Sequence, residues 1–216
     1  MTSDITHDHD EGDDHYYAAG YSVEVDPYVY PNGVLINLLN IQDTASLGEA
    51  ETDFASVRII QLQEVPIEGD LSLTHLKAIH RFIFQDIYPW AGECRKVDIA
   101  KNDTIFLAHQ EIEAAFHDMW LRLKQTDFLA LLKGDLKSFA AEAGVAFGCI
   151  NHIHPFREGN GWTQREYLDC LAQRAGFVLE WGGVSKLAMK DACVSAVTDP
   201  ECKALAKLIQ LSAKKR

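Results

Sequence analysis

The sequence predicts an all-α fold that carries one small β-hairpin, and three observations lead there. Apolar residues recur at helical spacing over most of residues 44–175. One stretch alone, KVDIAKNDTIFLAH from Lys96 to His109, alternates with the period of a strand. No internal repeat and no linker interrupts the part of the chain that holds them. Side chains line one face of a helix every third or fourth residue and one face of a strand every second, so the two patterns separate the element types.

The elements follow in order. DPYVYPNGVLINLLNI, Asp26 to Ile41, reads as an aromatic-rich entry loop and an apolar stretch, with Pro31-Asn32-Gly33 as a turn. A helix is expected over residues 44–63 through Leu47, Phe54, Val57 and Ile60, stopped by Pro66. A second is expected from Ser72 to Tyr88 through Leu73, Leu76, Ile79, Ile83 and Ile87, ended by Pro89. In the hairpin, Val97 and Ile99 alternate, Lys101-Asn102-Asp103 turn, and Ile105 and Leu107 alternate again. Helical spacing resumes over residues 110–124 through Ile112, Phe116, Met119 and Leu123, and over 128–132. Leu136, Phe139, Ala140, Ala143, Phe147 and Ile150 then mark a long helix. Leu168, Leu171, Ala172 and Ala175 mark another, which Gly176 closes as a C-cap, and residues 184–214 read as one or two more.

A chain of 216 residues with 47% apolar content is expected to form one domain, residues 17–216 with its core in 26–190 and helices at the C-terminal end. Residues 1–16 differ: Asp4, Asp8, Asp10, Glu11, Asp13 and Asp14 face no Lys or Arg there, so this tail holds half of the net charge of -12 and is expected to be disordered. His7, His9 and His15 are read as part of that solvated tail. The acidic balance argues against nucleic acid or an anionic membrane as a direct partner. No apolar run is long enough for a membrane span and no signal peptide is recognisable, so the expected location is cytoplasmic. The cysteines, Cys94, Cys149, Cys170, Cys193 and Cys202, are scattered without a Cys-x-x-Cys spacing and read as reduced residues on apolar faces.

The stretch HPFREGNGWTQR, residues 154–165, carries the chemistry. Gly159, Asn160 and Gly161 open a helix, where backbone N–H groups lack intrahelical acceptors and the dipole favours an anion. Glu158 just before them can lie beside that anion only with a cation between, and Mg²⁺ binds in this way, through one or two carboxylates plus phosphate oxygens. His154, at the end of the preceding helix, faces the same loop as a general base. His152 forms a His-x-His pair with it, but no third ligand lies close, so zinc is not expected. Arg157 and Arg165 supply cations for phosphates. Such a set describes a nucleoside triphosphate on Mg²⁺ beside a base, a site for phosphoryl or nucleotidyl transfer.

His154-Pro155-Phe156-Arg157-Glu158-Gly159-Asn160-Gly161 and Arg165 resemble the Fic motif, His-Pro-Phe-x-[Asp/Glu]-Gly-Asn-Gly-Arg-x-x-Arg, at every fixed position except Trp162. DPYVYPNGVL, HLKAIHRFIFQDIYPWAGECRKVDI and LAQRAGFVLEW extend the resemblance over most of residues 26–190, toward Fic proteins of the bacterial toxin kind. It implies the helical Fic fold with its hairpin flap, and adenylylation: AMP passes from ATP to a hydroxyl side chain of a target protein. Under it His154 is the base, Glu158 holds Mg²⁺, Gly159, Asn160 and Gly161 form the anion hole, and Arg165 meets the γ-phosphate. Asn160 and Arg165 thereby join His154 as catalytic residues, Arg157 joins the nucleotide-binding set, and Phe156 resembles the buried anchor of the loop. The flap, Lys101, Asn102, Asp103, Thr104, Ile105 and Phe106, aligns the target by strand addition. The inhibitory Ser/Thr-x-x-x-Glu helix of many Fic proteins has one candidate, Ser138 to Glu142, in a helix that leads into the active loop itself. Its absence elsewhere implies a separate small antitoxin that supplies the inhibitory glutamate, and a target such as the ATPase subunit of a type II topoisomerase.

Trp162 departs from the pattern, since an indole offers one donor and no charge. Loss of an arginine–phosphate contact costs about 1.5–3 kcal/mol, or about ten- to a hundredfold. Two alternatives therefore stand beside adenylylation: a Fic-type transferase of phosphate or another nucleotide, and a catalytically weakened Fic fold that acts as a binding module.

Overall fold

The computed structural model describes residues 26–101 and 104–216; the acidic stretch 1–16 and the flap residues Asn102 and Asp103 lie outside them. Helix α1 spans Thr44–Glu64, α2 Leu73–Phe84, α3 Ile112–Gln125, α4 Leu136–Ile153, α5 Asn160–Arg174, α6 Lys186–Ser195 and α7 Lys203–Ser212. Strands β1 (Ala100–Lys101) and β2 (Thr104–Ile105) form the expected hairpin, with Ala100 opposite Ile105 and Lys101 opposite Thr104. None of the described helices is long and apolar enough to cross a membrane.

Helix α4 is the central post. Phe139, Ala140, Ala143, Phe147 and Ile150 are all buried on it, as their spacing predicts, and α3, α5 and α7 pack around it. Its start is fixed by Asp135, whose carboxylate accepts the Ser138 N–H at 3.1 Å; Asp43 caps α1 in the same way at 2.8 Å. From the far end of α4 the chain passes through the motif loop directly into α5, so both sides of that loop are anchored in core helices.

Four details differ from the sequence reading. Helix α1 is where it was expected but buries another face: Leu47, Ala55 and Leu62 point inward, while Phe54, Val57 and Ile60 are exposed. The inward stripe of α1 also includes Glu51, and a carboxylate there disguised it. Helix α2 ends at Phe84 rather than Tyr88, because the N–H groups of Ile87 and Tyr88 both turn back to the Phe84 carbonyl, at 3.0 and 2.9 Å. Pro89 restricts the residue before it to extended backbone, so the helix closes early. Residues 128–132 are not an α-helix: Asp127, Phe128 and Leu129 all take left-handed backbone, and only a short 3-10 turn follows at Ala130–Leu132. Finally, β3 (Phe177–Leu179) pairs antiparallel with β4 (Ala213–Lys215) after α7, with Phe177 opposite Lys215. Gly176 precedes β3 with φ +79°, past the end of α5, as expected of its cap.

Candidate active site

His154 ends α4 in left-handed backbone, φ 45° and ψ 63°, a conformation that costs a non-glycine residue about 1 kcal/mol or more. Arg95 holds it there. The buried guanidinium donates from Nε to the His154 carbonyl at 2.8 Å, from Nη1 to the Val97 carbonyl at 2.7 Å, and from Nη2 to the Ile153 carbonyl at 3.2 Å and to the Leu107 carbonyl. One side chain thus ties the end of α4 to both flanks of the hairpin. Burial lowers its pKa to about 10, which leaves it charged at neutral pH.

The His154 ring is 6% exposed and stacks on Phe106 at a centroid distance of 3.8 Å. Its Nδ1 faces the Asn151 carbonyl at 3.1 Å, a contact that requires the proton on Nδ1 and puts the lone pair on Nε2. Desolvation pushes its pKa down to about 3, with the nearby charges of Arg95 and Lys101 acting in the same direction. The imidazole is therefore held in its basic form at neutral pH.

Beyond His154 the loop is shaped from within and from below. The buried Asn160 side chain accepts the Phe156 N–H at 2.9 Å and donates to the Phe156 carbonyl at 2.8 Å. Asn160 thus uses its amide to fasten the loop, while its backbone lies at the opening turn of α5. Phe156, 1% exposed, stacks on His80 at 3.9 Å. His80 accepts the Gly92 N–H on Nδ1 at 2.8 Å, so Nε2 carries the proton and donates to the Glu158 carbonyl at 3.0 Å. Gly159 takes φ +77°, and a Cβ there would lie 2.3 Å from the Phe84 ring, so no other residue fits.

Glu158 accepts the Gly159 N–H at 2.9 Å, beside the opening turn of α5. Glu51, from the buried face of α1, accepts the Tyr88 hydroxyl, and burial together with the negative charge of Glu158 raises its pKa to about 8. Carboxylate oxygens next to helix-start N–H groups suit a hard cation that also takes phosphate ligands. Among the described residues no group of three or more His, Cys, Asp or Glu side chains could hold a metal alone. The donor set therefore fits a nucleotide-bound Mg²⁺, which keeps waters and phosphate oxygens as most of its ligands.

The two arginines part company. Arg157 was expected at the phosphates, but both its Nε and its Nη2 bind Asp26 Oδ2, at 3.1 and 2.9 Å. A guanidinium spent on a buried carboxylate is an internal clamp. Arg165 instead lies with its Cζ 4.9 Å from the centre of the Trp162 ring. Its Nη1 is 3.7 Å from where a Cβ on Gly161 would stand, so it reaches back to the start of α5. No described carboxylate lies within ion-pair distance of it. Of the flap, Phe106 stacks on His154, Thr104 and Ile105 form the strand that leads to it, and the Leu107 N–H bonds the His152 carbonyl at 3.0 Å. Glu142, of the Ser138 pair, is engaged by Arg122 at 3.2 Å.

Asp26, Glu51, His80 and Arg95 were not singled out in the sequence. Each acts on the loop from a distant segment, and no local spacing signals such a partner. Asp26, His80 and Arg95 lie inside stretches that carried the family resemblance, without any of the three being marked there; Glu51 lies outside them.

A helical fold that presents a buried histidine, a glutamate-led glycine turn and a guanidinium one turn into the next helix defines the Fic class of site. The chain belongs to the Fic/DOC family, whose pattern matches residues 70–172. It is 38% identical over 177 residues to the protein adenylyltransferase VbhT of Bartonella schoenbuchensis, covering 82% of this chain and 37% of that longer protein. It is 36% identical over 169 residues to the probable protein adenylyltransferase Fic of Escherichia coli, covering 77% of this chain and 82% of that one. The crystal structure of BepC from Bartonella tribocorum with bound AMPPNP shares the fold at a TM-score of 0.78 and 23% identity, over 88% of this chain and 97% of that one.

Proposed function

We propose that the chain is a protein adenylyltransferase, which moves AMP from ATP to a hydroxyl side chain of a target protein and releases pyrophosphate. The observation that carries this reading is the placement, across one loop, of a neutral, basic His154 opposite the Arg165 guanidinium, which reaches back to the start of α5 and has no described carboxylate within ion-pair distance. Burial disfavours the Arg165 charge, a penalty that Glu166 and Asp169 offset from a distance, and an anionic ligand at the helix start would offset it further. The names of the relatives support AMP as the group transferred.

In this reading the target hydroxyl gives its proton to His154 Nε2 as its oxygen attacks the α-phosphorus, and the bond to the β-phosphate oxygen breaks. The N–H groups at the start of α5 face the phosphates, and Arg165 pairs with the terminal one. Glu158 would hold Mg²⁺, which neutralises charge on the phosphate chain. The hairpin strands β1 and β2, hooked to His154 through Phe106, would serve as the edge along which a target segment pairs. The Arg165 guanidinium, with no described carboxylate within ion-pair distance, also suits a regulatory carboxylate, and we assign that role to a glutamate of a small antitoxin, which makes this chain the toxin of a pair. An ATPase subunit of a type II topoisomerase is the target class to test first.

ATP labelled on the α- or the γ-phosphate decides the reaction. Label on a protein from the α position alone, lost by about a hundredfold or more in His154→Ala, is the expected result. Label from the γ position means phosphoryl transfer, and label from neither, with any partner removed, means a binding module.

A further inference from the structure

Trp162 stands where the family pattern has an arginine, and its surroundings show what an indole does there. Trp162 and Arg165 are three residues apart on α5 and share a face. Side chains on a helix lean toward its N-terminus, so the guanidinium is carried back over the ring, 4.9 Å from its centre. Trp162 is itself half-buried and packed against the core, so the platform is fixed rather than swinging. Gly161 leaves the neighbouring space open, with Arg165 Nη1 3.7 Å from the missing side chain. A guanidinium placed over an aromatic face is held by the ring's quadrupole, which uses none of its N–H donors. Among the described residues, Arg165 is therefore oriented without spending a donor on a protein acceptor.

We infer that Trp162 is a positioning residue, whose indole face holds Arg165 at the start of α5 for the terminal phosphate of a nucleoside triphosphate. This inference rests on the reading that the nucleotide binds at the motif loop. It follows that Trp162 contributes to the preference for a triphosphate over a diphosphate. It contributes through Arg165 and touches neither nucleotide.

Calorimetric binding of a non-hydrolysable ATP analogue and of ADP, each with Mg²⁺, tests it on the wild type, Trp162→Ala, Trp162→Phe, Arg165→Lys and the Trp162→Ala/Arg165→Lys pair. The wild type should prefer the triphosphate. Trp162→Ala should weaken the analogue by about tenfold, the order of a desolvated cation–π contact, while ADP binding stays within about twofold. Trp162→Phe, which keeps an aromatic face, should recover most of the loss. Lysine has no plane to stack, so Arg165→Lys should lose as much, and the double variant no more than either single one. Equal weakening of both nucleotides in Trp162→Ala, or fully additive losses in the pair, would overturn the inference. A wild type that binds neither nucleotide would instead overturn the functional reading beneath it.

Discussion

Arg157 and Asp26 form a buried ion pair across 131 residues of chain, with the Asp26 side chain fully excluded from solvent and both Nε and Nη2 of Arg157 on one carboxylate oxygen. The pair fastens the entry loop to the middle of the catalytic motif. A charge left alone at such depth costs about 3–5 kcal/mol, so Asp26→Ala should lower the melting temperature by roughly 10 °C. Asp26→Leu combined with Arg157→Met, which removes both charges, should recover most of that loss. Nucleotide affinity of the folded double variant should match the wild type. A large affinity loss there would return Arg157 to the phosphate site.

Arg95 serves four carbonyls, and two of them belong to Ile153 and His154 at the end of α4. Lysine has three donors and no fork to span four carbonyls, so Arg95→Lys leaves at least one acceptor without a donor, at about 1–3 kcal/mol each. The consequence for catalysis is indirect, since Arg95 is expected to hold the His154 backbone in its left-handed turn. Arg95→Lys should lower kcat by tenfold or more with a smaller change in the KM for ATP. Steady-state kinetics with chemical denaturation of the same variant would check both effects.

What could be read from the sequence was whatever is local. The helices announced themselves wherever their inward faces are purely apolar, as in α3 with Ile112, Phe116, Met119 and Leu123. The motif loop was legible because its residues are contiguous. The face of α1 was misread because its buried stripe includes Glu51, and residues 127–129 because left-handed backbone at Asp127, Phe128 and Leu129 leaves no periodic trace. Three-residue strands such as β3 and β4 are too short to show alternation, and their pairing closes over two intervening helices. The role of Arg157 was beyond local reading for the same reason: its carboxylate lies at the other end of the domain.

His154 is held neutral by burial, with its pKa pushed down to about 3. A lowered pKa means that the base form persists as pH falls, so kcat/KM should show no loss at the ordinary histidine value of about 6.5. The acidic limb of the profile should lie well below it. The Phe106 ring, stacked on the imidazole at 3.8 Å, is part of what excludes water. Phe106→Ala should admit solvent and move the limb upward by about one pH unit or more. A wild-type limb at 6.5 that Phe106→Ala does not move would show that His154 is hydrated in the working enzyme.

Glu166 and Asp169 lie on α5 beside a crevice lined by Leu62, Ile67 and Ile79. Burial raises the Glu166 pKa to about 7 and that of Asp169 to about 6, and Asp169 adds its negative charge to the Glu166 shift. A carboxyl whose folded pKa is raised retains a proton that the unfolded chain has given up. Its stabilising effect is therefore full below about pH 4 and disappears as pH rises through about 6 to 7. With partial exposure to solvent taken into account, Glu166 alone should cost on the order of 1–2 kcal/mol between pH 5 and 8. Glu166→Gln keeps the neutral shape and should flatten the fall in denaturation midpoint over that window, with Asp169→Asn acting in the same direction about one pH unit lower. Parallel pH curves for wild type and Glu166→Gln would mean that water reaches Glu166 freely in the folded protein.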